Sequence, residues 1–223
     1  MRVIAALFLS LGLMASLAAC KPSGGGSSSS STTTSTSSAA GVVTQEDMSL
    51  GDPNAKVTVI EYASLGCPVC AHWNNTVFQD FKTKYIDTGK VRYTLREFLT
   101  GDAPVASAGF LLARCAGASK YFQVVDAVWR QEEPLLESDR NAEKRDALVK
   151  IAQSMGLTEA QFNTCVTDDK AILALNARSE KWAGDDHIQN TPTFVINGKI
   201  YDNGFLSLAD MDKAVADAQA GAK

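Results

Sequence analysis

Two cysteines stand two residues apart in the stretch Glu61–Trp73, EYASLGCPVCAHW. A pair this close can clip a metal, staple a loop or exchange electrons as a dithiol. Gly66 permits a tight turn and Pro68 suits the first position of a helix, which makes Cys67 the expected N-cap and Cys70 its neighbour one turn in. An N-cap side chain accepts hydrogen bonds from the second or third amide of the helix. Here the acceptor would be a thiolate sulfur, and the helix dipole adds to its stabilisation. A free cysteine is only about 3 per cent ionised at pH 7, whereas one lowered to ~5 is almost wholly thiolate. Stabilising the reduced state in this way makes the matching disulfide a stronger oxidant. Cys67 is therefore expected exposed at the helix tip as the attacking or attacked sulfur, with Cys70 as the buried resolving partner. Tetrahedral zinc would need two further ligands. The chain offers only His72 and His187 besides distant cysteines, and both histidines read as surface or packing residues. The short pair reads as a redox couple, with no metal assigned.

The elements that must position this pair follow from the hydrophobic pattern. Lys56–Ser64, KVTVIEYAS, and Val91–Phe98, VRYTLREF, read as strands. Between them a helix is expected from Cys67 to about Tyr85, with Trp73, Val77, Phe78 and Phe81 inward. A long helical stretch comes next. Phe122, Val125 and Trp129 recur at helical spacing, as do Leu148, Ile151, Ala152 and Met155 before a stop at Gly156. Thr158-Glu159-Ala160-Gln161 matches a capping box ahead of Phe162 and Cys165. Ile172, Leu175 and Trp182 mark one more helix, ending near Gly184. Thr193–Ile196 and Lys199–Tyr201 flank Asn197-Gly198, a strong hairpin signal. Ser207 then caps a last helix carrying Leu208, Met211 and Val215. The order is β-α-β, a helical insert at about 102–184, then β-β-α, an α/β class built round one central sheet.

The N-terminus sets the compartment. Residues 1–19 carry one arginine and an apolar run too short for a stable membrane span, the pattern of a secretory signal. Leu17-Ala18-Ala19-Cys20 resembles a bacterial lipobox, which would place a lipid on Cys20. The Ser/Thr/Gly-rich segment that follows, within 20–45, behaves as flexible coil with a reach of about 25 Å, suited to a tether. The chain has five cysteines. Assigning Cys20 to a lipid leaves four that can pair in an oxidising compartment. A net charge of −4 without a basic stripe makes nucleic acid an unsuitable partner.

The stretch GDPNAKVTVIEYASLGCPVCAHW, with NTPTFVING far downstream, resembles the DsbA-like thiol–disulfide oxidoreductases, over about 46–223. The resemblance implies a thioredoxin-like fold, 46–101 with 185–223, into which a helical domain is inserted at 102–184. It implies that Pro192, after Thr191, is cis and lies beside the active cysteine, where the backbone pairs with an extended substrate. It also implies that Glu61 lies buried behind the cysteines and relays the proton of Cys70; the competing reading is a strand glutamate facing solvent. Pro68 and Val69 would complete the substrate surface. Strong oxidases often carry Pro-His between the cysteines, and Val69 here withdraws that hydrogen bonding and charge. Relatives with an extra bridge in the helical domain imply a structural disulfide between Cys115 and Cys165; two buried free thiols are the alternative.

The function so implied is an envelope enzyme, needing no bound cofactor, that exchanges a Cys67–Cys70 disulfide with thiols of unfolded secreted proteins. A DsbB-like membrane quinone reductase would restore the disulfide. The expected setting is the periplasmic side of the envelope, with the enzyme anchored through its lipid. An isomerase or reductase held in the dithiol state is the alternative within the fold, and a non-catalytic metal-delivery or peptide-binding module is the alternative from another class.

Overall fold

In a computed structural model, residues 41–131 and 133–221 are described. The expected signal segment, Cys20 and the greater part of the tether lie outside them. A short edge strand that the sequence pattern had not indicated, β1 (Met48–Leu50), opens the fold. β2 (Val57–Ala63) follows, rich in β-branched residues, and leads into the helix α1 (Pro68–Trp73). This helix does not continue as the single regular element expected to about Tyr85. It passes through a wider i→i+5 turn at Asn74–Phe78 into α2 (Gln79–Phe81) and a second such turn at Lys82–Ile86. The inward residues are as expected: Trp73, Val77 and Phe81 are buried, and Phe78 packs half-buried against the core.

The strand β3 (Val91–Glu97) runs parallel to β2, in register from Val57 opposite Val91 to Ala63 opposite Glu97. Helices then take over: α3 (Ala103–Cys115), α4 (Tyr121–Arg130), a wide turn at Glu133–Glu137, α5 (Asn141–Ser154), α6 (Glu159–Val166) and α7 (Asp169–Asp185). Gly156 ends the third of the full helices at φ 84, a backbone state that suits glycine. Thr158 and Gln161 form the reciprocal capping box that the sequence indicated. The chain re-enters the sheet as β4 (Thr193–Ile196) and β5 (Lys199–Tyr201). Asn197 and Gly198 adopt positive φ of 45 and 83 between them, as a two-residue hairpin loop requires. α8 (Leu208–Gly221) closes the fold, with Ser207 and Asp210 exchanging hydrogen bonds at its start.

The sheet order is β1-β3-β2-β4-β5, so β2, which leads to the cysteine pair, is central. Side chains alternate across a strand, and β2 divides accordingly. Val57, Val59 and Ala63 join the large core with α1, α8 and the helical block, whereas Ile60 and Tyr62 join a smaller cluster with Trp182, Ile188 and Val195. Arg96 lies in the buried seam beside that smaller cluster. It pairs with Asp47 and Asp186 at 3.0 Å each and donates to Tyr62. On the other face, Glu97 takes Arg114 from α3, Arg178 from α7 and the Tyr121 hydroxyl from α4. That cluster ties the sheet to the helical block. The architecture is a thioredoxin-like fold with inserted helices.

Candidate active site

The turn before α1 is built by close backbone approach. The Cys67 amide donates to the Ser64 carbonyl at 3.2 Å, the Trp129 indole donates to that same carbonyl at 3.1 Å, and the Ser64 hydroxyl donates to the Thr100 carbonyl at 2.8 Å. The Asp102 amide donates to the Gly66 carbonyl at 2.9 Å. A Cβ on Gly66 would come within 2.2 Å of the Asp102 carbonyl oxygen, so only glycine fits there. The sharp exit from β2 thus depends on a hydrogen-bonded bed supplied partly by α4.

On that bed Cys67 takes the N-cap position in extended geometry, φ −107 and ψ 116, with Pro68 opening the helix. Its sulfur makes no capping bond of standard geometry, although the amides of Val69 and Cys70 act on it from the helix end. Cys67 and Cys70 are free thiols. Contrary to the expectation of an exposed sulfur, Cys67 is only 8 % exposed, and Cys70 is fully buried. The cover comes from the loop before β4, where Thr191-Pro192 is a cis peptide and the Thr191 carbonyl lies 3.6 Å from the Cys67 sulfur. Pro68 and Val69 remain exposed, and so does Phe205, whose ring lies 5.2 Å from that of His72 between centroids, tilted by 33°.

The two thiols are pushed apart. Cys67 is lowered to about 6, first by the Cys70 thiol donating to it, with Thr191 and the amides of Cys70 and Val69 assisting against burial. Cys70 is raised well above the ordinary range, first by burial and then by its bond to Cys67. At pH 7 a thiol at 6 is roughly 90 per cent thiolate. One sulfur is thus a ready nucleophile and leaving group, the other a protonated partner held in reserve.

Glu61 lies in central β2 and is fully buried, so the solvent-facing reading of this residue does not hold. Its Oε2 accepts the Tyr93 hydroxyl at 2.5 Å, while Oε1 has no partner among the described residues. Burial pushes its carboxyl up to about 8; the Tyr93 bond works against this and the Cys67 charge works with it. Cys115, at the end of α3, and Cys165, in α6, are joined as a disulfide with Cα atoms 6.0 Å apart, away from this turn. His72 and His187 are exposed. Among the described residues no three His, Cys, Asp or Glu side chains gather as a metal site would need.

A family profile described as Thioredoxin matches residues 43–217. A protein of Rickettsia bellii, named as a protein-disulfide oxidoreductase, is 32 % identical over 180 residues, which cover 79 % of this chain and 68 % of its own length. The chain belongs to the DsbA-like thiol–disulfide oxidoreductases. The crystal structure of alpha-DsbA1 from Wolbachia pipientis superimposes with a TM-score of 0.70 at 27 % identity, covering 81 % of this chain and 94 % of that one. Disulfide bond formation protein D of Bacillus subtilis is 26 % identical over 170 residues, 74 % of this chain and 72 % of its own. Several of the rickettsial relatives are longer, and the chain spans 62 % of the one from Rickettsia prowazekii.

Three parts of this DsbA-like site escaped the sequence reading: Tyr93, Ser64 and Trp129. Tyr93 carried a signal, because an interior strand tyrosine needs a partner for its hydroxyl, and β3 places it on the same face as Val91 and Leu95. Trp129 was read only as a core residue, and its indole nitrogen finds a partner far away in sequence.

Proposed function

We propose that this chain is an oxidase of the envelope that places disulfides into unfolded secreted proteins. The observation that carries the reading is the ready ionisation of Cys67 at the start of α1 beside a buried, protonated Cys70. A stabilised thiolate favours the reduced enzyme and so drives the transfer of its disulfide to a client. In the oxidised enzyme a client thiolate attacks Sγ of Cys67, the Cys67–Cys70 bond breaks and the Cys70 sulfur leaves with the electron pair. Glu61 supplies its proton. A second client thiolate then attacks the client sulfur of the mixed disulfide, and Cys67 departs as thiolate. Two electrons have moved from client to enzyme, and one disulfide has formed in the client.

The client chain is taken to lie extended along Thr191 and Pro192, pairing with main-chain groups as an added strand, with Pro68 and Val69 beside it. The exposed rings of His72 and Phe205 widen that surface. Cys20 carries a lipid, 20–45 forms the tether, 102–184 acts as a helical domain on a thioredoxin-like body, and Cys115–Cys165 is its structural staple. A membrane quinone reductase of the DsbB kind reoxidises the dithiol. Val69, offering no charge to the thiolate, favours a second reading as an isomerase or reductase kept reduced. Alkylating mass tags applied to intact cells separate the two. Cys67 and Cys70 recovered mainly as a disulfide is the expected result; mainly free thiols would replace the oxidase reading with the reduced one.

A further inference from the structure

Two glutamates are buried on the large-core face of the central strands, and they are treated differently. Glu97 has both carboxylate oxygens filled, Oε1 by Arg114 and Tyr121, Oε2 by Arg178. Glu61 has one oxygen filled by Tyr93 and the other left without a partner among the described residues. Burying a polar atom unpaired is costly, and such an atom in a native fold calls for an account.

We propose that Tyr93 is a positioning residue, which pins Oε2 of Glu61 so that Oε1 is left free to exchange a proton with Cys70. This rests on the oxidoreductase reading of the Cys67–Cys70 pair and deepens it. The hydroxyl of Tyr93 is a fixed donor, because its own ionisation is pushed well above the ordinary range by burial and by Glu61. A neutral carboxylic acid whose Oε2 accepts that bond carries its proton on Oε1. The charged and titratable groups round it are few. β3 supplies Tyr93, α1 supplies Cys67 and Cys70, and Tyr121 of α4 acts on Tyr93. β4 places apolar Phe194 opposite Glu61. No lysine, arginine or histidine pairs with Glu61 among the described residues, in contrast to Glu97. With its carboxyl near 8, Glu61 is an acid through the neutral range.

The step balances. When Cys70 leaves as thiolate, the Oε1 proton passes to its sulfur, giving a thiol and a carboxylate whose Oε2 keeps the Tyr93 bond. On reoxidation the Cys67 thiolate first forms a mixed disulfide with the membrane quinone reductase. Cys70 then returns its proton to Oε1 and its sulfur attacks Sγ of Cys67, so that the reductase sulfur leaves as thiolate with the electron pair. No proton need cross to solvent in either half.

Tyr93→Phe removes only the hydroxyl and keeps the ring against Phe78, 5.1 Å away between centroids. The measurement is the single-turnover rate at which the purified disulfide form oxidises a reduced, unfolded test protein, followed from neutral to alkaline pH and expressed per substrate thiolate. The unaltered disulfide form should lose rate as pH rises through the point where Glu61 surrenders its proton. That point lies below the value of about 8 of the dithiol form, because the Cys67 charge that helps to raise it is gone. In Tyr93→Phe the carboxylate loses a stabilising donor, so that fall should move upward by about one pH unit. Glu61→Gln should show no such fall, from a plateau at least about tenfold lower. A Tyr93→Phe protein that is active with an unshifted fall overturns the positioning role alone, as does a Glu61→Gln protein that retains the fall. No oxidation by the unaltered protein, or full oxidation by Cys67→Ser, overturns the oxidoreductase reading and this inference with it.

Discussion

Cys67 and Cys70 sit one helical turn apart where α1 begins, whereas Cys115 and Cys165 join two helices across 50 residues of chain. The first pair is supported in its reduced state: amides, the Thr191 side chain and a neighbouring thiol all favour a charge on one sulfur. The second pair, at the end of α3 and in α6, is already joined, and a bridge over so long a loop restricts the freedom of the unfolded chain. The same bond therefore serves opposite ends. A disulfide closing a short loop at a helix start gains most from what stabilises its broken form. A disulfide closing a long loop gains from remaining intact.

The contrast breaks most visibly under mutation. Cys67→Ser should reduce oxidation of an unfolded test protein to the uncatalysed rate. Replacing Cys115 and Cys165 together by alanine should leave that rate within a few-fold, yet lower unfolding stability by about 4 kcal/mol in the loop-entropy account, read from denaturant midpoints. Equal losses of activity from both changes would erase the distinction.

A smaller effect lies in pH. A thiol whose folded value is depressed contributes stability that is complete above its unfolded value and disappears as pH falls through the folded one. For Cys67 that window runs from about 9 down to about 6. The reduced protein should therefore gain stability over the disulfide form as pH rises through this window. The slope is at most about 1.4 kcal/mol per pH unit, less with solvent screening. Parallel denaturant melts of the two redox forms give the gap, and a gap independent of pH would contradict the thiolate account. Smallest of all, Trp129→Phe should cost about 1 kcal/mol of stability through the lost bond to the Ser64 carbonyl, with the oxidation rate changed less than threefold. A larger loss of rate would mean that α4 sets the geometry of the cysteine turn and does not merely brace it.

Much of this was readable in the residues. Gly66 and Pro68 located the helix start, Asn197-Gly198 the hairpin and Thr158 with Gln161 a helix boundary, because each rests on chemistry within four residues. What escaped rests on distant partners. The short β1 has only three residues and acquires strand character by pairing with β3. The exposure of Cys67 could not be judged while the Thr191-Pro192 loop, more than a hundred positions later, had no place in space. Tyr93 is one strand residue among several until Glu61 is brought beside it, and the wide turns after α1 interrupt a hydrophobic spacing that by itself describes an unbroken helix.

The central claim is the separation of two neighbouring thiols, and it is tested by titrating thiolate absorbance in the reduced protein with the Cys115–Cys165 bridge intact. One thiol should ionise near 6, with the other silent until well above 9, and the first step should vanish in Cys67→Ser. Both thiols ionising together in the range of an ordinary cysteine would contradict the account.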